Sequence, residues 1–369
     1  MAVMKQGAVV SELQRGSSQI TLQMAKQRLK EANLSYAVLP LSEDAKLLIM
    51  EHGGRIFGPF TAKESVLWMP SRWDSLTTWK ESWSQQYWNL GGERLWIAPE
   101  IQYCIKDRNT MSTSWSLPPA MDPSNYHLTY RQNDNIQLET EMSLVAHHHN
   151  SQEQHLYVKR IIEPLQNPLR TLIEHDLFMA EVAFSGYQHT IHLETDTENS
   201  CLSEAWSIMQ VRQGGISIIP TYGTPQIGWY YRPEKPELIN QAPPLMLVQH
   251  KPGNLFKIGI HSTACTGRVG YLHLQTERPY LLVRNYLVNP SATYVEEPFD
   301  APGEKGYAFH LYNSADLKEQ FGEIECHGNA IGGKTGKRSA TSTLETWLFE
   351  GKREQLELIT QKLLSYQIT

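Results

Sequence analysis

The sequence predicts an all-β protein, a large antiparallel sandwich with a few peripheral helices. From Tyr36 onward, short runs of alternating apolar and polar residues are bounded by Gly, Pro, Asn and Asp, as in SYAVLPL, AKLLIMEH, GGRIFGPF and SVLWMPS. This is the texture of strands and turns. Comparable runs continue through most of the chain without helical patterns between them, which argues against the strand–helix alternation of an α/β fold. With 369 residues, 40% hydrophobic and 20% charged, the chain can bury a substantial core.

Each element is read from its own spacing. Ser18 to Ala32 places Ile20, Leu22, Met24 and Leu29 among Lys and Gln, with Ser17 or Ser18 as candidate cap, so an amphipathic helix is expected there. Asp74 to Gln86 has Leu76, Trp79, Trp83 and Tyr87 near helical spacing and predicts a short helix. Glu93 to Glu100 reads as a strand. Beyond it IQYCIKD, HLTYRQ, NIQLETEMSLVA, LYVKRIIEPL, Leu177 to Phe184, YQHTIHLETDTEN, SEAWSIMQV, GISIIPTYG, FKIGIHS, GYLHLQTE, YLLVRNYLV, YAFHLYN and FGEIECHGN read the same way. Arg353 to Leu364 returns to helical spacing and is expected as a closing helix. No low-complexity linker divides the chain. The expected organisation is therefore an N-terminal segment, residues 1–35, whose helix packs on the sandwich, and one β domain over residues 36–369.

Composition narrows the partners. A formal charge of −6 and an isoelectric point near 6.2 leave no electrostatic reason to expect nucleic acid. A neutral ligand fits better. The 10 Trp and 17 Tyr outnumber the 9 Phe, a balance that favours rings with a polar edge, although a large sheet core uses them too. Cys104, Cys201, Cys265 and Cys326 lie far apart with no CxxC spacing, so neither a zinc site nor a disulfide framework is indicated. The first residues lack the apolar run of a signal peptide and no stretch reaches membrane-helix length, so a cytoplasmic protein with no membrane partner is expected. The oligomeric state is not readable.

Three stretches carry candidate chemistry. In NLGGERLWIAPE, Asn89 to Glu100, strand alternation puts Arg94, Trp96, Ala98 and Glu100 on one face and Leu95 and Ile97 on the other. A cation, an indole and a carboxylate on one surface suit a sugar, whose C–H faces stack on the ring while the charged groups bond hydroxyls. The plainer alternative is an edge strand with its charges in water. In FGEIECHGN, Phe321 to Asn329, Glu323, Glu325 and His327 share a face opposite Ile324 and Cys326. Neighbouring carboxylates raise one another's pKa when partly buried, which makes a general base near neutral pH, whereas a solvated strand face gives no such coupling. In EAWSIMQVRQGG, Glu204 to Gly215, Trp206 shares a face with Ile208 and Gln210, and a strand-end Trp is also ordinary core.

The histidines divide by context. The run His147-His148-His149 resembles a metal tract, but no carboxylate or cysteine sits at ligand spacing, so a polar loop is expected and no metal or cofactor is indicated. His189 shares a face with Ile191 within Tyr187 to His192. His250 and His261 flank the FKIG strand and are the candidates for a histidine facing a cleft, against the ordinary alternative of structural or exposed histidines.

The succession HGGRIFGPF with VLW, GGERLWIAPE, EAWSIMQVRQGG, FKIGIHSTACTGRVGYL and HLYNSADLKEQFGEIECHGNAI resembles uncharacterised relatives of aldose 1-epimerases in the galactose-mutarotase-like superfamily, over roughly Met50 to Phe349. The resemblance implies a β-supersandwich of two large antiparallel sheets with a carbohydrate cleft on its concave face. It implies an early arginine, matched by Arg94, and a late glutamate base, matched by Glu325 or Glu323. Where mutarotases carry a mid-chain histidine, this chain has Ala205-Trp206-Ser207, so His250 or His261 is the candidate acid. The reading is a carbohydrate-active protein with epimerase-type acid/base chemistry. Glu325, His250 and His261 are its catalytic candidates, and Arg94, Trp96, Glu100, Trp206, Glu323 and His327 shape the site. The alternative is a non-catalytic sugar-binding module on the same fold; a structural protein with a vestigial cleft is a third.

Overall fold

The computed structural model describes residues 19–61, 64–84, 87–131, 135–197 and 200–366, and its alternating runs form two antiparallel sheets. The nine-stranded sheet runs in the order β1 (Tyr36–Pro40), β2 (Lys46–Met50), β3 (Arg55–Phe60), β4 (Glu93–Ala98), β9 (Glu204–Arg212), β18 (Phe321–His327), β17 (Tyr307–Asn313), β14 (Phe256–His261) and β11 (Ile227–Tyr231). The ten-stranded sheet runs β12 (Ile239–Ala242), β13 (Leu245–Gln249), β10 (Ile216–Pro220), β15 (Arg268–His273), β16 (Tyr280–Tyr286), β19 (Ser339–Gly351), β8 (Val182–Thr195), β7 (Gln152–Pro164), β6 (Asn135–Ala146) and β5 (His127–Arg131). This is the antiparallel supersandwich that the sequence predicts.

The sheets meet through one alternating set from each. Leu95 and Ile97 of β4, Met209 and Val211 of β9 and Ile324 and Cys326 of β18 share a buried cluster with Leu138, Val158, Ile191, Leu282 and Leu348 of the other sheet. Burying each large apolar side chain stabilises the fold by about 1.5–3 kcal/mol. A one-residue slip of β4 would turn Leu95 and Ile97 out and bring Arg94 and Trp96 in, so burial fixes the register that aims the site.

One carboxylate interrupts this apolar layer. Glu93, on the core face of β4, accepts from Tyr187 Oη at 2.6 Å and Ser207 Oγ at 2.7 Å, lies 3.0 Å from His189 Nδ1 and pairs with Arg284 Nη1 at 3.1 Å. Burial alone would raise its pKa; Arg284 and His189 outweigh burial and hold it well below the usual carboxylate range.

The helices lie outside the sheets. In α1 (Leu22–Glu31), Thr21 Oγ1 accepts from the Met24 amide at 3.2 Å; Ser17 and Ser18, the expected caps, fall outside the described residues. Ile20, Ala25 and Leu29 pack with Leu48, Met50, Phe57 and Trp73. α2 (Leu76–Ser84) falls within the helix expected from Asp74, and the expected end at Gln86 lies outside the described residues.

Four strand expectations need correction. SVLWMPS forms only a bridge, Ser65 with Phe60. The β4 strand stops at Ala98 because Pro99 has no N–H to continue the ladder, and Glu100 begins α3 (Glu100–Tyr103). IQYCIKD is therefore helical at its start: Ile101, Gln102, Tyr103 and Cys104 are all buried, so their alternation identified no face. A further short helix, α4 (Met111–Ser114), follows. Leu177 to Phe184 splits into α5 (His175–Met179) and the start of β8, with Glu181 in the left-handed region at φ 58° turning the chain between them. The closing helix α6 (Arg353–Leu364) has the expected bounds, and Leu356, Ile359 and Leu364 cover Leu281, Val283, Trp347 and Phe349. Among the described residues no helix is long and apolar enough to cross a membrane.

Candidate functional site

β4, β9, β18, β17, β14 and β11 are successive neighbours, and alternation carries a second set of side chains to the face opposite Leu95 and Ile324. Their register places them in rows. Trp96 pairs with Trp206, which pairs with His327; Arg94 pairs with Ile208, then Glu325, then His310; Gln210 pairs with Glu323, then Tyr312, then Lys257. The glycine pair before β4 admits no side chains: Gly91 and Gly92 have φ of 86° and 74°, and a Cβ on them would strike the Trp68 and Ile56 carbonyls. That turn sets where Arg94 and Trp96 emerge.

The rows open onto a cleft of about 870 Å³, within the size range of small-molecule sites. Arg94, Trp96, Glu100, Trp206 and Glu323, five residues expected at a site, all line it. At its floor Glu323 Oε1 accepts from Arg94 Nη2 at 2.8 Å and Gln210 Nε2 at 2.9 Å. The Arg94 guanidinium lies 4.5 Å from the centre of the Trp96 ring and 5.3 Å from that of Trp88. Trp88 and Trp115, half-buried, form the indole wall above. Trp115 Nε1 donates to Glu100 Oε1 at 2.9 Å, so Glu100 reaches the cleft from the helix turn.

Lys257, lone among the apolar residues of β14, carries the floor's other cation. Its Nζ lies 3.6 Å from Glu100 Oε2, 3.7 Å from Glu325 Oε2 and 4.4 Å from the centre of the Trp206 ring. Burial by itself would lower its pKa, but Glu325, Glu100 and Glu296 outweigh burial and raise it, so it is held as a cation. Glu325 differs. Burial pushes its carboxyl up, to about 7, against the pull of Lys257.

Glu325 and His327 share the expected face, but both lie under the floor. Glu325 has no exposed surface and accepts from Trp206 Nε1 at 2.9 Å. His327 Nδ1 lies 2.8 Å from Glu204 Oε1, its Nε2 lies 2.7 Å from His310 Nδ1, and His310 Nε2 lies 3.0 Å from Tyr230 Oη. Burial drives both imidazoles well below the ordinary histidine range, so both are neutral. Glu325 is thus no contact for a ligand in the cleft; the carboxylate facing the cleft from β18 is Glu323.

The two candidate acids are corrected outright. His250 follows β13 in the other sheet, is fully buried against Phe256 and Tyr271, and bonds Ser217 Oγ at 2.9 Å. His261 sits past a register shift at the end of β14, where its Nδ1 bonds Thr263 Oγ1 at 2.9 Å in a short turn. Neither lines the cleft: His250 belongs to the other sheet, and the register shift after Ile260 separates His261 from the alternation that aims Lys257 inward. The residues missed were Lys257, His310, Glu204 and the Trp88–Trp115 wall. Lys257 had a signal, a single charge inside an apolar strand; His310 had one in its alternation with Tyr312.

The model of a family of unknown function, DUF6786, matches residues 73–369. The chain belongs to that family. No curated protein matches this DUF6786 chain. Among solved structures it is similar to Slr1438 protein from Synechocystis sp. PCC 6803, at 10% identity over 86% of this chain and 96% of that one, with a TM-score of 0.49. It is similar to a galactose mutarotase-like protein from Lactobacillus casei at 9% identity, covering 85% and 100% of the two chains with a TM-score of 0.46. It is also similar to a galactose mutarotase related enzyme from Lactobacillus acidophilus at 7% identity, covering 86% and 97% with a TM-score of 0.43. At these values the likenesses carry no argument about chemistry in the cleft of the DUF6786 protein, which rests on its own geometry.

Proposed function

We propose that the cleft binds a neutral carbohydrate. The observation that carries this reading is the Arg94–Glu323 pair on the floor beneath the Trp88 and Trp115 rings. A sugar presents apolar C–H faces and a ring of hydroxyls together, and this floor and wall meet both. Both protein donors to Glu323 use Oε1, which leaves Oε2 for a hydroxyl. Arg94, Arg108 and Lys257 against Glu100, Asp316, Glu319 and Glu323 leave the lining close to neutral.

A second reading, acid/base chemistry of the aldose 1-epimerase type, is favoured by Glu323 alone. Glu323 Oε2 would take the anomeric hydroxyl proton while the C1–O5 bond opens, and the Lys257 ammonium would stabilise the charge developing on O5. No histidine among the cleft-lining residues offers an acid, which is why binding is the first reading. Calorimetry against a panel of neutral mono- and oligosaccharides, with polarimetry of freshly dissolved aldoses, tests both. Binding without accelerated mutarotation leaves a sugar-binding protein; no binding across the panel overturns both readings.

A further inference from the structure

Beneath the cleft floor, and independent of the carbohydrate reading, three side chains from β17 and β18 converge. One ring nitrogen from each of His310 and His327 and one carboxylate oxygen of Glu325 lie within 4.8 Å of one another, all three residues buried. We propose that His310, His327 and Glu325 bind a divalent transition metal ion, with zinc the first candidate. Two imidazoles and a carboxylate are the donor set that such borderline cations select.

Two observations beyond the convergence point to a cation. The first is the set of groups behind the donors. His327 Nδ1 faces the Glu204 carboxylate at 2.8 Å, and His310 Nε2 faces Tyr230 Oη at 3.0 Å, so the far nitrogen of each ring is fixed by a partner. That leaves His327 Nε2 and His310 Nδ1, 2.7 Å apart, turned to one point. Metal-bound histidines are held this way, with the other N–H given to a carboxylate or an oxygen. Glu325 Oε2 accepts from Trp206, while Oε1 is buried with no partner.

The second is charge. Glu100 and Glu325 flank Lys257 Nζ at 3.6 and 3.7 Å; Glu296 Oε2 accepts from the Glu100 amide at 2.7 Å, and Glu204 Oε1 from the Glu296 amide at 3.4 Å. Two carboxylates, Glu100 and Glu325, therefore share one ammonium, while Glu323 is matched by Arg94. Buried charge without a counter-charge is costly, and a divalent cation bound to Glu325 would supply it. Without a metal, the same atoms make a chain of neutral hydrogen bonds from Tyr230 through His310 and His327 to Glu204, which gives the proposal its competitor.

The test uses the full chain, made without a polyhistidine tag and purified free of chelator. Elemental analysis after loading with Zn²⁺ and exhaustive dialysis should find about one zinc per chain, falling below about a tenth in Glu325→Gln and His327→Gln, because metal sites depend on each ligand. Circular dichroism on those variants checks that the sheets persist. Glu204→Gln, which acts through His327, should weaken zinc binding by about 10–100-fold. Should a variant fail to fold, Co²⁺ loading of the wild-type chain decides: visible d–d bands of a nitrogen–oxygen site are expected. Wild-type chain that holds no zinc, and whose melting is unmoved by Zn²⁺ or chelator, would overturn the proposal in favour of the hydrogen-bonded pair. So would zinc that survives Glu325→Gln and His327→Gln but is lost when His147, His148 and His149 are all replaced by alanine.

Discussion

Glu93 and Arg284 meet between the two sheets at 3.1 Å, each with its side chain wholly buried. β4 and β16 thus contribute opposite charges to the layer between the sheets, and Ser207 Oγ, Tyr187 and His189 complete the carboxylate's shell. Removing one partner strands the other. Arg284→Met should therefore lower stability by about 3–5 kcal/mol, while the double variant Glu93→Leu with Arg284→Met should recover much of it. Chemical denaturation of the three chains measures the difference. Equal losses in the single and the double variant would show that the pair's own attraction, and not the stranded charge, sets the cost.

A second prediction concerns acid. His250 is fully buried beside Ser217 and Tyr271, and burial pushes its pKa down to about 3. The folded chain then binds this proton less readily than the unfolded one, whose histidine titrates near 6.5. Stability from this residue is complete above about pH 6.5 and falls as pH drops toward the folded value, by about 2 kcal/mol at about pH 5. Melting followed from neutral to acid pH should show a slope that His250→Gln reduces. A slope unchanged by that substitution would place the acid sensitivity elsewhere, with His189 the next group to examine.

The contrast between two tryptophans follows from their exposure. Trp96 is 3% exposed and gives its Nε1–H to Asp122 at 2.9 Å, whereas Trp88 is half-buried on the wall. Trp96→Ala should act first on the fold, costing about 3–5 kcal/mol as a large core truncation does. Trp88→Ala should leave melting nearly unchanged and weaken sugar binding by about 0.5–1.5 kcal/mol, the worth of an aromatic face beyond its area. Calorimetry and thermal melting on the two variants separate the roles.

How much of this was legible in the sequence varies by residue. Arg94, Glu323, Trp96 and Trp206 were readable because period-two alternation, once a strand is placed, assigns a face without any knowledge of the neighbouring strand. Their rows in the register show the argument at its strongest. It failed at His250, which stands just past the end of β13 where alternation assigns nothing, and at His261, the last residue of β14, where a register shift after Ile260 breaks the alternation. It also over-reached at Glu325: the right face is not enough, since Trp206 from adjacent β9 and Lys257 from β14, two strands away, close over that carboxylate. His310 escaped notice because its partners, His327 and Tyr230, and the Glu204 behind His327 come from three other strands. Only the sheet order, which one sequence does not give, brings them together.

The last prediction separates the two carboxylates of β18 that one sequence pattern could not. If the cleft performs acid/base chemistry at an anomeric carbon, the acceptor must reach the cleft, and Glu323 is the member of the pair that lines it. Glu323→Gln keeps an oxygen for the Arg94 and Gln210 donors but replaces the other oxygen with an amide nitrogen, so sugar affinity should shift only modestly. Mutarotation in polarimetry should drop by about 10²–10⁴-fold, the usual contribution of a positioned base. Glu325→Gln should leave the cleft-facing oxygen in place and act through the layer below, by loss of bound zinc. A wild-type rate that Glu323→Gln leaves intact would remove Glu323 from the chemistry. Wild-type binding with no acceleration at all would establish the cleft as a sugar-binding site only.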